Sequence, residues 1–242
     1  TTTKWFAAQN YEVAKDKRTR IVYDDARHFV LTTPEHFDII TSDPIHPFVK
    51  GSAALYSEEY FEMVKAHLNE DGIVTQWVPL YESDAASVKS EIATFFKVFP
   101  GGMVFANTNA GAGYDVVLVG QKNNKPIDID AINAKLASAA YAPALVSLNN
   151  AEISGALSLF GTYAGSDADL KPWLAGAAIN HDYDMRLQYL AGLALNCAHA
   201  DEIYRQMMAL ARPSRGAFTG TPAELEQLFS TIRARQPYSL EN

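Results

Sequence analysis

Phe37-Asp-Ile-Ile-Thr-Ser-Asp-Pro-Ile-His-Pro47 decides how this chain is read. Residues 37–40 suit a strand, with Asp38 the polar exception, and Thr41 and Ser42 carry the run to a carboxylate at Asp43. A strand cannot continue through Pro44 and Pro47, because proline lacks an N–H, fixes φ and drives the residue before it into an extended conformation. Asp43 is therefore expected just past the carboxyl end of a strand, which is where open α/β sheets bind ligands. The competing use of such a residue is a turn in which its side chain caps its own backbone.

Outward from this stretch, strands and helices alternate. Towards the N-terminus, Trp5, Phe6, Tyr11 and Val13 predict a helix over residues 3–14. Ile21, Val22 and Tyr23 predict a short buried strand with Asp24 and Asp25 at its tip, and helical character resumes at Ala26. Towards the C-terminus, Ser57 with Glu58 and Glu59 starts a helix whose apolar face is Tyr60, Phe61, Val64 and Leu68. A strand over 73–77 follows, then an amphipathic helix over 84–98 with a stripe of Val88, Ile92, Phe95, Phe96 and Val98. Strands over 103–106 and 114–119 flank Asn107-Thr-Asn-Ala-Gly-Ala-Gly113. A phosphate-cradling loop should feed a helix, whereas this one feeds a strand, so it reads as a hairpin or a loop over the site. From about residue 125 the chain turns Ala- and Leu-rich, with helices expected near 129–140, 151–159, 187–198, 201–210 and 222–234. The pattern predicts an α/β domain over 1–124 and a mainly helical region over 125–242.

The totals bound the function. A formal charge of −8 over 242 residues, with no Lys/Arg run, argues against a nucleic-acid partner and suits a cationic ligand, although charge alone mainly reports solubility. The lone Cys197 leaves no disulfide framework or thiolate metal cluster. With no apolar run of membrane-spanning length and no leader pattern, the expectation is a cytoplasmic protein.

Read in order, Ile21-Val-Tyr-Asp-Asp-Ala-Arg-His-Phe29, Phe37-Asp-Ile-Ile-Thr-Ser-Asp43, Gly51-Ser-Ala-Ala-Leu-Tyr-Ser-Glu-Glu-Tyr-Phe61 and Gly72-Ile-Val-Thr-Gln76 resemble the polyamine aminopropyltransferases, the spermidine synthase family. The likeness is to the bacterial branch in which this domain can be fused to a transporter-like membrane part, and it runs over roughly residues 10–120. It implies a methyltransferase-like Rossmann sheet and transfer of an aminopropyl group from decarboxylated S-adenosylmethionine, a co-substrate, to an amine such as putrescine. No metal or further cofactor is implied. By motif, Asp25 and Ala26 match the pair that meets the adenine, Asp43 matches the proton acceptor, and Gln76 matches a position near the substrate. His46 stands where the family carries a second Asp that helps to hold the amine. The substrate-binding set is thus Asp43, His46 and Gln76. The family's glycine-rich turn and the acidic residue that holds the ribose should precede Arg20, yet the first 19 residues contain no glycine. Two expectations stay open: the chain is the C-terminal part of a longer protein, its sheet incomplete on the N-terminal side with an edge that invites self-association, or the donor site is lost; under either, the isolated chain is expected to be a poor catalyst.

The implied chemistry agrees with the residue type at position 43. An alkylammonium, with a pKa of about 10.4 in the lysine analogue, is not nucleophilic until it loses a proton. A carboxylate can hold the cation, take that proton and align the freed amine. Two other readings use the same residues: a methyltransferase-like enzyme using S-adenosylmethionine itself, and a non-catalytic sensor or interaction module. Elsewhere, His181 in Asn180-His-Asp-Tyr-Asp184 fits a helix cap better than a metal ligand. Trp77 and Tyr81 suit either a ligand slot or the core.

Overall fold

A computed structural model describes residues 4–109 and 111–236. The chain forms two compact units, Thr1–Pro34 and Glu35–Asn242.

In the first unit the expected helix over 3–14 is replaced by turns and a single 3-10 turn, Val13–Lys15. Tyr11 and Glu12 have φ of 53° and 55°, outside the helical region, and Trp5, Phe6 and Tyr11 are exposed, so no apolar face is buried to hold a helix. The strand expected at 18–24 also fails to form. Ile21, Val22 and Tyr23 are exposed and pair with no ladder among the described residues. The helix after them, α1 (Ala26–Thr32), starts where the sequence places it. Asp25 is its N-cap and accepts the His28 N–H at 2.9 Å.

The second unit begins with β1 (Phe37–Ser42). A 3-10 helix, Ser52–Tyr56, leads into α2 (Glu58–Ala66), capped by Ser57, and then β2 (Leu68–Pro79) and α3 (Ala85–Val98), capped by Asp84. β3 (Met103–Asn109) and β4 (Ala112–Gln121) pair antiparallel, the hairpin alternative for the glycine-rich connector, whose residue 110 lies outside the described residues. Beyond them come β5 (Ile127–Asp128), α4 (Ile129–Leu136), α5 (Ala142–Asn150), α6 (Ala156–Phe160), β6 (Tyr163–Ser166), α7 (Asp167–Leu174), α8 (Arg186–Leu193), α9 (Ala200–Leu210), β7 (Phe218–Thr219) and α10 (Pro222–Ala234).

The architecture is α/β. The main sheet runs β1-β2-β4-β3-β6, with β1 and β2 parallel and the later neighbours antiparallel. The helical region contributes β6 to this sheet, a strand too short to announce itself as a period-two pattern. α2 and α3 pack together and against β2, burying Phe61, Val64, Ile92, Phe95 and Val98 with Val74, Val78 and Leu118. A second cluster joins Met103 and Tyr163 of the sheet to Ile129, Phe218, Leu225, Leu228 and Ile232. No described helix is long and apolar enough to cross a membrane.

Candidate active site

The parallel register of β1 and β2 sets Ser42 opposite Gln76. One residue later the chain leaves the sheet at Asp43, as the two prolines require. Asp43 is exposed, and its carboxylate makes no hydrogen bond among the described residues. The self-capping turn is therefore absent and the charge is unspent.

The loop that carries Asp43 is held from below by the 3-10 helix. Ser52 Oγ donates to the Ile45 carbonyl at 2.5 Å and the Tyr56 hydroxyl donates to the same oxygen at 3.5 Å. Gly51, with φ of +88°, makes the turn into that helix in a conformation that a side chain would strain. The helix is itself anchored by Asn180, which is fully buried. Asn180 Nδ2 donates to the Ala53 carbonyl at 2.8 Å, and its Oδ1 accepts the Leu187 N–H at 3.0 Å. The Asn180 carbonyl accepts the Glu58 N–H at 2.9 Å. His181 lies beside Glu58 and Glu59, each at 3.3 Å, and among the described residues no three His, Cys, Asp or Glu side chains gather as a metal site.

Gln76 alternates with half-buried Thr75 and Trp77 and shares its side of β2 with Val74 and Val78, so its amide turns inward. Its Nε2 donates to the Trp77 carbonyl at 3.3 Å, and its Oε1 is buried with no partner among the described residues. Tyr56 meets the Gln76 side chain. Burial above all, then the charges of Glu91 and Asp43, keep the Tyr56 phenol protonated, while the bond from Gln76 acts the other way. The structure thus brings Asp43 and Gln76 together around Tyr56, a residue that sequence reasoning did not single out.

His46 sits among rings, 5.0 Å from Phe48, 5.5 Å from Trp77 and 4.9 Å from Tyr81, centroid to centroid. Its Nε2 is buried and has no hydrogen-bond partner among the described residues. Burial depresses its pKa, opposed by Glu82 and by a hydrogen bond to the Tyr81 backbone, so the ring favours the neutral form. Trp77 Nε1 donates to Asp115 at 3.1 Å and Tyr81 stacks on Tyr114 at 4.6 Å. A cleft of about 530 Å³ opens beside Tyr81, lined also by Glu82, Gly113, Cys197 and Asp201. Asp25 and Ala26 belong to the first unit, at the start of α1. Asp24 pairs with His28 at 2.8 Å and accepts the Asp25 N–H at 2.8 Å; the His28 bond above all, with the Asp25 bond behind it, holds the Asp24 carboxyl below its ordinary range.

A carboxylate at a strand end, a buried amide on the neighbouring strand and a cluster of aromatic rings are groups of the kind that hold small cations. The spermine/spermidine synthase domain model matches residues 2–127, and the chain belongs to that family. It is 34% identical over 87 residues to a polyamine aminopropyltransferase of Clostridium beijerinckii, covering 35% of this chain and 30% of that one. It is 45% identical over 62 residues to polyamine aminopropyltransferase 1 of Pseudomonas aeruginosa, covering 25% of this chain and 21% of the relative. The crystal structure of a probable spermidine synthase from Corynebacterium glutamicum superposes with a TM-score of 0.47 at 20% identity, over 73% of this chain and 59% of that one. The chain spans less than a third of the length of the curated relatives it matches.

Proposed function

We propose that this chain supplies the amine-accepting side of an aminopropyl transfer, from decarboxylated S-adenosylmethionine to an amine such as putrescine. The observation that carries the reading is the unspent carboxylate of Asp43, which leaves the sheet one residue past the Ser42–Gln76 pair. In this reaction Asp43 holds the substrate ammonium and takes one of its protons, directly or through a water. The freed nitrogen lone pair attacks the methylene carbon bonded to the sulfonium sulfur. A C–N bond forms, the C–S bond breaks, and its electron pair stays on sulfur, which becomes a neutral thioether. The carboxylate also favours the cationic donor electrostatically. Gln76 and His46 line the amine side. Asp25 and Ala26 are assigned to the adenine by their match to the family motif. The same reading keeps the expectation of a cytoplasmic location, which the lone Cys197 favours, and of self-association.

The test is product formation by the complete protein that carries this chain, given putrescine with either the decarboxylated donor or S-adenosylmethionine itself. Transfer confined to the decarboxylated donor and abolished in Asp43→Asn supports the reading. Methyl transfer from the intact donor, or equal rates in the two forms of residue 43, would sink it.

A further inference from the structure

Asp43 makes no side-chain hydrogen bond among the described residues, so nothing that its carboxylate touches sets where the charge points. Its placement has to come from the backbone on either side. On the strand side, Ser42 is held opposite Gln76 in the parallel ladder. On the loop side, two residues on, the Ile45 carbonyl accepts the Ser52 Oγ–H at 2.5 Å and the Tyr56 hydroxyl at 3.5 Å. Between these two points the chain has little freedom, because Pro44 fixes its own φ and confines Asp43 to an extended conformation. A grip on the Ile45 carbonyl is therefore passed back to Asp43 through a rigid residue.

The grip is rooted in the core. Ser52 and Tyr56 are the first and last residues of the 3-10 helix, and both are buried. The N-cap of that helix is Gly51, so Ser52 spends its hydroxyl on the loop. The Ser52 N–H also donates to the Val49 carbonyl at 2.9 Å, and the Val49 N–H to the His46 carbonyl at 3.0 Å, which closes the segment 46–52 on itself. The Tyr56 hydroxyl is further hydrogen-bonded to the Gln76 side chain, so one ring joins the loop to the strand that registers β1. Buried Asn180, through the Ala53 carbonyl, fixes the helix between the two hydroxyls.

We propose that Ser52 and Tyr56 are positioning residues for Asp43, two buried hydroxyls that converge on the Ile45 carbonyl and hold the loop so that the carboxylate meets the amine in one geometry. For the reaction that this placement serves, the proposal rests on the aminopropyl-transfer reading. Both residues act through the backbone of the loop, not on the substrate. Proton removal and attack on carbon demand exact placement, and a shift of about 1 Å can cost about 10²-fold in rate. Ser52, with the shorter bond, carries the larger share.

The experiment follows aminopropyl transfer by the complete protein, varying putrescine and the decarboxylated donor in turn, in wild type, Ser52→Ala and Tyr56→Phe. Each substitution removes one oxygen and leaves the rest of the side chain. The kcat/KM for putrescine is expected to fall about tenfold or more in Ser52→Ala and by less in Tyr56→Phe, while the KM for the donor stays within about twofold. Amide hydrogen exchange over residues 45–49 should quicken in Ser52→Ala, with that of β2 unchanged. Wild-type rates in Ser52→Ala overturn the clamp and spare the transfer reading. A donor KM that rises in step, or faster exchange through β2 as well, means general loosening and overturns the positioning role, as does a slower variant whose loop exchange is unchanged. A wild type that transfers nothing overturns the reading itself, and the clamp's purpose with it.

Discussion

Ser42 faces Gln76 across the parallel ladder of β1 and β2, so the strand that leads into Asp43 is fixed in register against the strand that carries the buried amide. A slip of one residue would turn every side chain to the opposite face. Because Asp43 is exposed and makes no hydrogen bond among the described residues, the fold gains little from its charge. Asp43→Asn is therefore expected to leave stability within about 0.5 kcal/mol. Aminopropyl transfer should fall by about 10²-fold or more, the usual worth of a positioned proton acceptor. Melting curves and initial rates on the same preparation check both parts.

Asn180 predicts the opposite division. Its side chain closes two buried bonds, to the Ala53 carbonyl and from the Leu187 N–H, and both backbone groups would be orphaned in Asn180→Ala. Each orphan costs about 1 to 3 kcal/mol. Denaturant titration should therefore register a loss of about 2 to 5 kcal/mol. Any surviving activity should show a raised KM, since the 3-10 helix carrying Tyr56 loses its anchor.

His46 gives a pH signature. Its folded-state pKa lies below the ordinary 6.5 because burial disfavours the imidazolium. As pH falls below 6.5 the unfolded chain takes up a proton that the folded chain refuses, so stability declines until the folded pKa is passed. His46→Phe keeps a ring among Phe48, Trp77 and Tyr81 and removes this proton. Its stability should change less between pH 7 and pH 5 than that of the wild type, as followed by urea midpoints at each pH.

What the sequence disclosed follows from how local each signal is. Strand β1 and its abrupt end were legible because two prolines state their constraint within eleven residues. The start of α2 was legible because Ser57 followed by Glu58 and Glu59 marks a helix start by residue type, whereas the capping roles of Asp25 and Asp84 emerge only from the structure. The strand expected at Ile21–Tyr23 failed because a ladder needs a partner that no local pattern reveals. Strand β6, only Tyr163–Ser166, is likewise made by its pairing with β3. In the site, Asp43 stood out as a lone carboxylate at a strand end, while Tyr56 and Glu91 were hidden inside helical segments whose apolar stripes claimed attention. Glu91 sits between Val88, Ile92 and Phe95, and a carboxylate on that side of α3 is a local conflict that could have marked it.

That conflict carries the last prediction. Burial above all, then the charge of Asp84, raises the Glu91 pKa in the folded state. Between the unfolded value, near the ordinary 4.5, and the folded one, the native chain holds a proton that the unfolded chain has lost. The unfolded state then binds fewer protons, so stability falls as pH rises through that window. Glu91→Gln keeps the shape and cannot ionise. It should equal the wild type within about 1 kcal/mol near pH 4.5 and exceed it by about 1 to 3 kcal/mol at pH 8. Guanidinium unfolding at the two pH values measures the difference. Parallel pH profiles for the two proteins would mean that Glu91 ionises freely in the folded chain and has found a partner there.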